Sequence, residues 1–143
     1  FVFASRESFE LFEEERNLGK SLQRLINTQD LSSVLLERQL SWPDTPSYLF
    51  CFALAGHALK IDINNLMLGF LWSWLENQVT VACKSIPLGQ TDAQKVLLAL
   101  RPVIAAKVMV ADAVSDQEIG GSLPGQALLS ALHEVQYSRL FRS

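Results

Sequence analysis

The sequence predicts an all-α protein, because apolar residues recur three or four positions apart along most of its 143 residues. Hydrophobic residues make up 49% and charged residues 19%, with seven glycines and five prolines, which is the balance of a folded domain. A chain of this length buries roughly 68% of its unfolded surface. We therefore expect a single compact helical domain over 1–143, with about six to seven helices and a flexible C-terminal tail at 136–143.

The first segment predicts one long amphipathic helix over 1–26. Glu15 is a polar break on its apolar side, and Gly19 weakens it by roughly 1 kcal/mol relative to alanine. A polar stretch then ends this helix, and a short helix up to Gln39 is expected after it.

Thr45 and Pro46 predict the start of the third helix, because proline suits the first helical position and threonine caps it. This helix, over about 47–60, is apolar almost all round and is expected to be central. Asp62 then caps the longest helix, which runs to about Ile86. Its predicted inward residues are Leu66, Phe70, Trp74 and Val81, with Met67, Leu71, Leu75 and Val79 beside them.

A proline-containing turn over 87–90 separates the longest helix from the next one. Thr91 and Gln94 predict a capping box there, since each side chain can satisfy a free N–H group near the other residue. A loop over 116–124 and a last helix over 125–135 complete the predicted domain.

Composition also excludes several classes of protein. Twelve Lys and Arg residues against fifteen Asp and Glu give a net charge of −3, without the basic face of a nucleic-acid binder. The most apolar run, 66–75, is far shorter than the roughly 20 residues of a membrane span. Cys51 and Cys83 lie in apolar stretches and form no disulfide framework. We expect a soluble, cytoplasmic protein.

No catalytic or metal-binding constellation is visible. His57 and His133 have no second histidine one turn away, so the sequence predicts no metal site. It leaves open only a transient contact of either histidine with a metal ion. The acidic stripe of Glu7, Glu10 and Glu14 is typical of a solvated helix face with local ion pairs, although acid–base chemistry is the alternative. A helical enzyme using a cysteine thiolate or these carboxylates is therefore the competing interpretation.

Nucleotide binding is excluded by the glycine loops of the chain. Gly89 and Gly120-Gly121 lack the Lys-Ser/Thr pair that completes a phosphate cradle. We expect no tightly bound cofactor and no enzymatic activity.

Three segments are much less generic than the rest. They are Ser5-Arg6-Glu7-Ser8 with Glu13-Glu14-Glu15-Arg16-Asn17 and Gly19; Trp74-Leu75-Glu76-Asn77-Gln78-Val79 with Lys84-Ser85-Ile86-Pro87-Leu88-Gly89-Gln90-Thr91-Asp92-Ala93-Gln94; and His133-Glu134 with Gln136-Tyr137-Ser138-Arg139-Leu140-Phe141-Arg142-Ser143. In this order they resemble the Arg-Glu-rich helix, the central signature and the C-terminal tail of the urease accessory protein F family. The chain resembles the C-terminal two-thirds or so of a bacterial member, without the family's N-terminal segment.

The resemblance implies an all-helical cytoplasmic chaperone for the nickel centre of urease. In such proteins a homodimer binds accessory protein D and recruits the GTPase accessory protein G. Nickel is then delivered to apo-urease at the expense of GTP bound by the GTPase. Phe9 and Phe12 stand where the family more often has arginine, and either enlarge an apolar contact patch or pack on the missing segment.

Two groups of residues are candidates for partner binding. The tail would bind protein D through Glu134, Tyr137, Ser138, Arg139, Leu140, Phe141, Arg142 and Ser143. A second group either contacts the GTPase or only builds a turn: Lys84, Pro87, Leu88, Gly89, Gln90 and Gln94. A generic helical interaction module unrelated to urease remains a further interpretation.

Overall fold

The computed structural model describes residues 1–37 and 40–137, except for the side chain of Leu36, and the regular structure of these residues is entirely helical. A 3₁₀ turn at Phe3–Ser5 precedes six helices: α1 (Phe9–Thr28), α2 (Ser33–Glu37), α3 (Tyr48–Ala58), α4 (Ile63–Ser85), α5 (Gln90–Asp112) and α6 (Pro124–Glu134). The prediction of an all-α fold with about six to seven helices is confirmed, with six α-helices among the described residues.

The described residues form two compact units. The first contains residues 1–61 together with the described residues from 120 onward, and the second contains 62–119. Each unit is described by itself below, and the single domain over 1–143 stays a prediction.

Helix α1 begins at Phe9, so the prediction of a helix from the first residue is wrong. Ser8 is the N-cap: its backbone is extended, and its hydroxyl oxygen accepts a hydrogen bond from the Leu11 N–H at 3.3 Å. A helical period continues upstream of Ser8, but the cap fixes the start because it satisfies a free donor of the first turn.

Two other predicted helix starts are also wrong. Ser47 caps α3 by accepting the Phe50 N–H at 3.1 Å, so Thr45 is not the cap and Pro46 precedes the helix. Helix α5 begins at Gln90, and its N-cap is Gly89, which has no side chain that could cap the helix. The predicted capping box of Thr91 and Gln94 is therefore not formed. The extended backbone of Gly89 already sets the turn from which α5 starts.

The start of α4 agrees with the sequence. The Asp62 carboxylate accepts the Asn65 N–H at 3.1 Å and also contacts the Asn65 side-chain amide. These hydrogen bonds lower the pKa of the Asp62 carboxyl group. The predicted cap is confirmed.

The first unit is built on a close crossing of α1 and α3. A methyl group on Gly19 would lie 2.1 Å from the backbone oxygen of Pro46, so only glycine fits at this point of α1. The Cys51 thiol on α3 donates to the Gly19 carbonyl oxygen at 3.3 Å. The surrounding core consists of Ile26, Val34, Leu35, Cys51 and Leu54.

The second unit is a hairpin of α4 and α5. Its buried core consists of Leu75, Val79, Ala93 and Leu97. Trp74 is 56% and Val81 44% exposed, so the predicted inward line of α4 is wrong for these two residues. Because α4 is apolar on several sides, its sequence periodicity did not select the face that packs on α5.

We expect Gly19→Ala to lower the free energy of unfolding by about 3 kcal/mol or more, because the new methyl group meets rigid backbone. Gly125→Ala is the matched control, since it is helical, belongs to the same unit and has open space around the added atom. The control should change stability by no more than about 1 kcal/mol. Urea denaturation followed by circular dichroism measures both, and equal effects would contradict the steric explanation.

Candidate functional site

Polar side chains join the start of α1 to α6. The Nδ1 atom of His133 lies 2.8 and 2.9 Å from the two carboxylate oxygens of Glu10. The Glu134 carboxylate accepts the backbone N–H of Glu10 at 3.1 Å, and the hydroxyls of Ser8 and Ser130 are 2.7 Å apart. We call these five residues the α1–α6 polar contact.

The α1–α6 polar contact stabilises the first turn of α1. A carboxylate beside a helix N-terminus accepts a free backbone N–H and interacts favourably with the helix dipole. Glu134 therefore has a structural role at the base of the tail, and its predicted contact with a partner stays a prediction. Glu7 and Glu14 are exposed as expected, whereas Glu10 is only 20% exposed, so the acidic stripe is not a uniformly solvated face.

Glu15 is the buried acidic residue of the first unit, with 6% of its surface exposed. It accepts a charge-assisted hydrogen bond from Arg6 at 2.5 Å and the backbone N–H of Leu49 at 3.0 Å. The sequence showed Glu15 only as a break in an apolar stripe. Because its partners are a residue outside α1 and the first turn of α3, helical periodicity could not reveal this contact.

The surroundings of Cys51 disfavour its thiolate form. Its side chain is fully buried, and burial, followed by the nearby negative charge of Glu15, raises its pKa to about 11. A reactive cysteine needs the opposite environment, one that lowers the pKa of the thiol. Cys83 is half-buried against the core of the second unit.

Within the described part of the chain, neither histidine lies in a group of side chains that could hold a metal ion. Among the described residues, no group of three His, Cys, Asp or Glu side chains is placed to hold an ion. His57 is exposed in the last turn of α3, and His133 belongs to the α1–α6 polar contact. Within the same described residues, no helix is long and apolar enough to cross a membrane.

The turn between α4 and α5 has one inward side chain. Leu88 is half-buried and packs against the core of the second unit, and its backbone N–H donates to the Ile86 carbonyl at 2.7 Å. The other candidate residues of this turn are exposed: Lys84, Pro87, Gly89, Gln90 and Gln94. Leu88 thus supports the structural role of the turn, while its neighbours are accessible to a partner.

Only the first part of the candidate tail falls within the described residues. Tyr137 is fully exposed there. The candidate residues outside the described part are Ser138, Arg139, Leu140, Phe141, Arg142 and Ser143. Their predicted role in partner binding therefore stays a prediction.

The two phenylalanines at the start of α1 have different surroundings. Phe12 lies in an aromatic cluster, with its ring centroid 5.0 Å from that of Phe3 and 6.4 Å from that of Phe9. Phe9 is 66% exposed at the edge of this cluster. Phe12 therefore packs within the first unit, and Phe9 adds an apolar side chain to its surface.

These features define a helical protein whose buried polar side chains hold helices together and whose turn between α4 and α5 is largely exposed. Comparison with known proteins gives its family: the UreF family model matches residues 1–101. The urease accessory protein UreF of Chromohalobacter salexigens is 51% identical over 140 residues, covering 98% of this chain and 59% of the relative. The proteins of the same name from Psychrobacter cryohalolentis and Teredinibacter turnerae are 43% and 47% identical over 143 residues, covering all of this chain and 61% and 63% of the relatives.

The chain belongs to the UreF family. The resemblance inferred from the three sequence segments is thereby confirmed. The chain spans about 60% of the length of the curated relatives it matches.

We expect Cys51 of the folded protein to resist alkylation at pH 7.5, where a pKa of about 11 leaves roughly three thiols in ten thousand ionised. Its alkylation should accelerate as the pH approaches 11 and also when urea exposes the thiol. The Cys83→Ser variant isolates Cys51, and mass spectrometry after iodoacetamide treatment gives the rate. Rapid modification of the folded variant at neutral pH would instead support the thiolate-enzyme interpretation.

Proposed function

We propose that this chain is the greater part of a urease accessory protein, a chaperone that assists the assembly of the urease nickel centre. The observation that carries the proposal is membership of the UreF family, together with curated relatives named urease accessory protein UreF. In this role the protein is a cytoplasmic scaffold that links accessory protein D and the GTPase accessory protein G to apo-urease. The full-length protein acts as a homodimer.

The chemistry of the described side chains supports a scaffold more than an enzyme. Glu15 is paired with Arg6, Cys51 donates to a backbone carbonyl, and Glu10 contacts His133. Each of these three groups thus has a structural partner. In the proposed function nickel is cargo, and GTP is bound by the partner GTPase.

The tail is proposed to bind accessory protein D. Tyr137 is exposed, and the sequence beyond it supplies Arg139, Leu140, Phe141 and Arg142. Tyrosine and arginine are enriched among interface residues that dominate binding energy, and phenylalanine adds apolar area.

The turn between α4 and α5 is proposed to contact the GTPase. Lys84 lies near the end of α4, and Gln90 and Gln94 lie in the first turns of α5. All three side chains are exposed, while Leu88 anchors the turn to the hairpin core. An exposed surface held by a packed residue is suited to protein recognition because it needs little reorganisation.

Deletion of Arg139–Ser143 should weaken the binding of accessory protein D by at least about tenfold, because it removes two arginines and two apolar anchors. Helicity should remain nearly unchanged, since the deleted residues follow α6. Isothermal titration and circular dichroism of the full-length protein measure the two quantities. Undiminished affinity would exclude the tail as the binding element.

Lys84→Ala should reduce capture of the GTPase several-fold and leave the affinity for protein D unchanged. Lys95→Ala is the matched control, because Lys95 is an exposed lysine of the same unit that pairs with Asp92 at 2.8 Å. Pull-down with the GTPase and measurement of GTP turnover in the assembled complex test this expectation. Equal behaviour of the two variants would remove Lys84 from the proposed surface.

A further inference from the structure

An open apolar groove lies between the second half of α1 and the end of α3, within the first unit. Its volume is about 420 Å³, and its walls include Leu22 and Leu25 on one side and Ala55 and Leu59 on the other. Among the described residues that line the groove, Gln29 is the one polar side chain and none is charged. A cavity of roughly 150 Å³ holds a benzene molecule, so this groove has room for more than one apolar side chain.

Helix α1 has apolar residues on two adjacent sides. Gly19 and Ile26 lie on the side that packs against α3. A second stripe, with its residues four and three positions apart, consists of Leu18, Leu22 and Leu25. Leu22 packs partly against the core, whereas Leu18 is 39% and Leu25 54% exposed. A helix whose apolar residues extend beyond the side covered by one neighbour is typical of a helix that packs on two sides.

The second stripe of α1 and the far wall of the groove form one continuous apolar surface. Leu22, Leu25 and Leu59 line the same groove, and Leu18 lies one turn before Leu22. Leu59, which directly follows α3, is 57% exposed. A contiguous apolar patch of this kind marks a surface that another segment or molecule covers. We call Leu18, Leu22, Leu25 and Leu59 the α1–α3 groove face.

The lengths of the relatives point to the segment that covers this face. The relative from Psychrobacter cryohalolentis matches all of this chain with 61% of its own length, and the relative from Chromohalobacter salexigens matches 98% of this chain with 59%. A substantial part of each relative therefore has no counterpart in these 143 residues. Additional sequence of a folded protein has to bury its own apolar residues, and an uncovered groove on a neighbouring unit is a favourable place for them.

We propose that, in the full-length protein, an amphipathic helix from the sequence outside this chain packs along the α1–α3 groove face and fills the groove. Its inward residues would be apolar and three or four positions apart, so that they interdigitate with the leucines of α1. In this arrangement α1 is covered on two sides. The inference goes beyond the proposed function, because it concerns how the first unit is completed and requires no accessory protein.

The size of the groove face favours a segment of the same polypeptide over a separate protein. A stable interface between two proteins uses about 20–30 residues on each side, and the four leucines of the groove face are far fewer. The uncharged lining that the structure describes also offers no charge to orient a separate partner. A tethered helix needs less contact area, because its effective concentration is high and it loses little translational freedom.

Photocrosslinking of the purified full-length protein identifies the occupant. Leu25→p-benzoylphenylalanine should crosslink within one polypeptide to a peptide outside residues 1–143, which mass spectrometry identifies. Lys20→p-benzoylphenylalanine is the matched control, since Lys20 is exposed on the same helix but lies two positions from Leu22, away from the groove face. The control should not crosslink to that peptide. Crosslinks from position 25 only to residues 1–143 or to a second copy, or no crosslinked peptide at all, would overturn the inference.

Thiol protection gives a second measurement that uses a smaller substitution. In the folded full-length protein, Leu25→Cys should react with iodoacetamide at least about tenfold more slowly than Lys20→Cys, because the packed helix must open before the reagent reaches position 25. This ratio should be independent of protein concentration and should disappear in urea. Equal rates would mean that the groove is uncovered, and protection that is lost on dilution would mean that a second copy covers it. Either result contradicts the proposal.

Discussion

The first unit depends on the close approach of α1 and α3 at Gly19. With no side chain at this position, the backbone of Pro46 and Ser47 reaches the surface of α1. Cys51 then donates to the Gly19 carbonyl oxygen from the facing helix. A larger residue would separate the two helices and weaken the packing of the core around Ile26, because interiors tolerate little excess volume.

The same crossing explains why a carboxylate is tolerated inside the unit. Glu15 lies one turn before Gly19 and meets the first turn of α3, where helix N–H groups lack intrahelical partners. One oxygen accepts the Leu49 N–H and the other meets Arg6. The buried charge is therefore paired and hydrogen-bonded, and it also contributes to the raised pKa of the Cys51 thiol.

Helix α6 is attached to α1 by a different kind of contact. Hydrogen bonds and a histidine–carboxylate pair orient it on α1, leaving its leucines exposed. Polar contacts of this kind specify an orientation through geometry more than they contribute free energy. The apolar side chains of α6 therefore remain on the surface of the first unit.

The sequence by itself determined the helical class, the cap at Asp62, the turn after Pro87 and the UreF family, because these depend on local spacing and on short motifs. It did not reveal the start of α1, because a helical period continues upstream of the Ser8 cap, or the start of α3, where Ser47 competes with Thr45 as the cap. Only the tertiary structure assigned Gly19 its close contact, Glu15 its partners and α6 its outward apolar face. Each of these depends on residues distant in sequence, and helical periodicity alone does not identify the partners that a given residue meets.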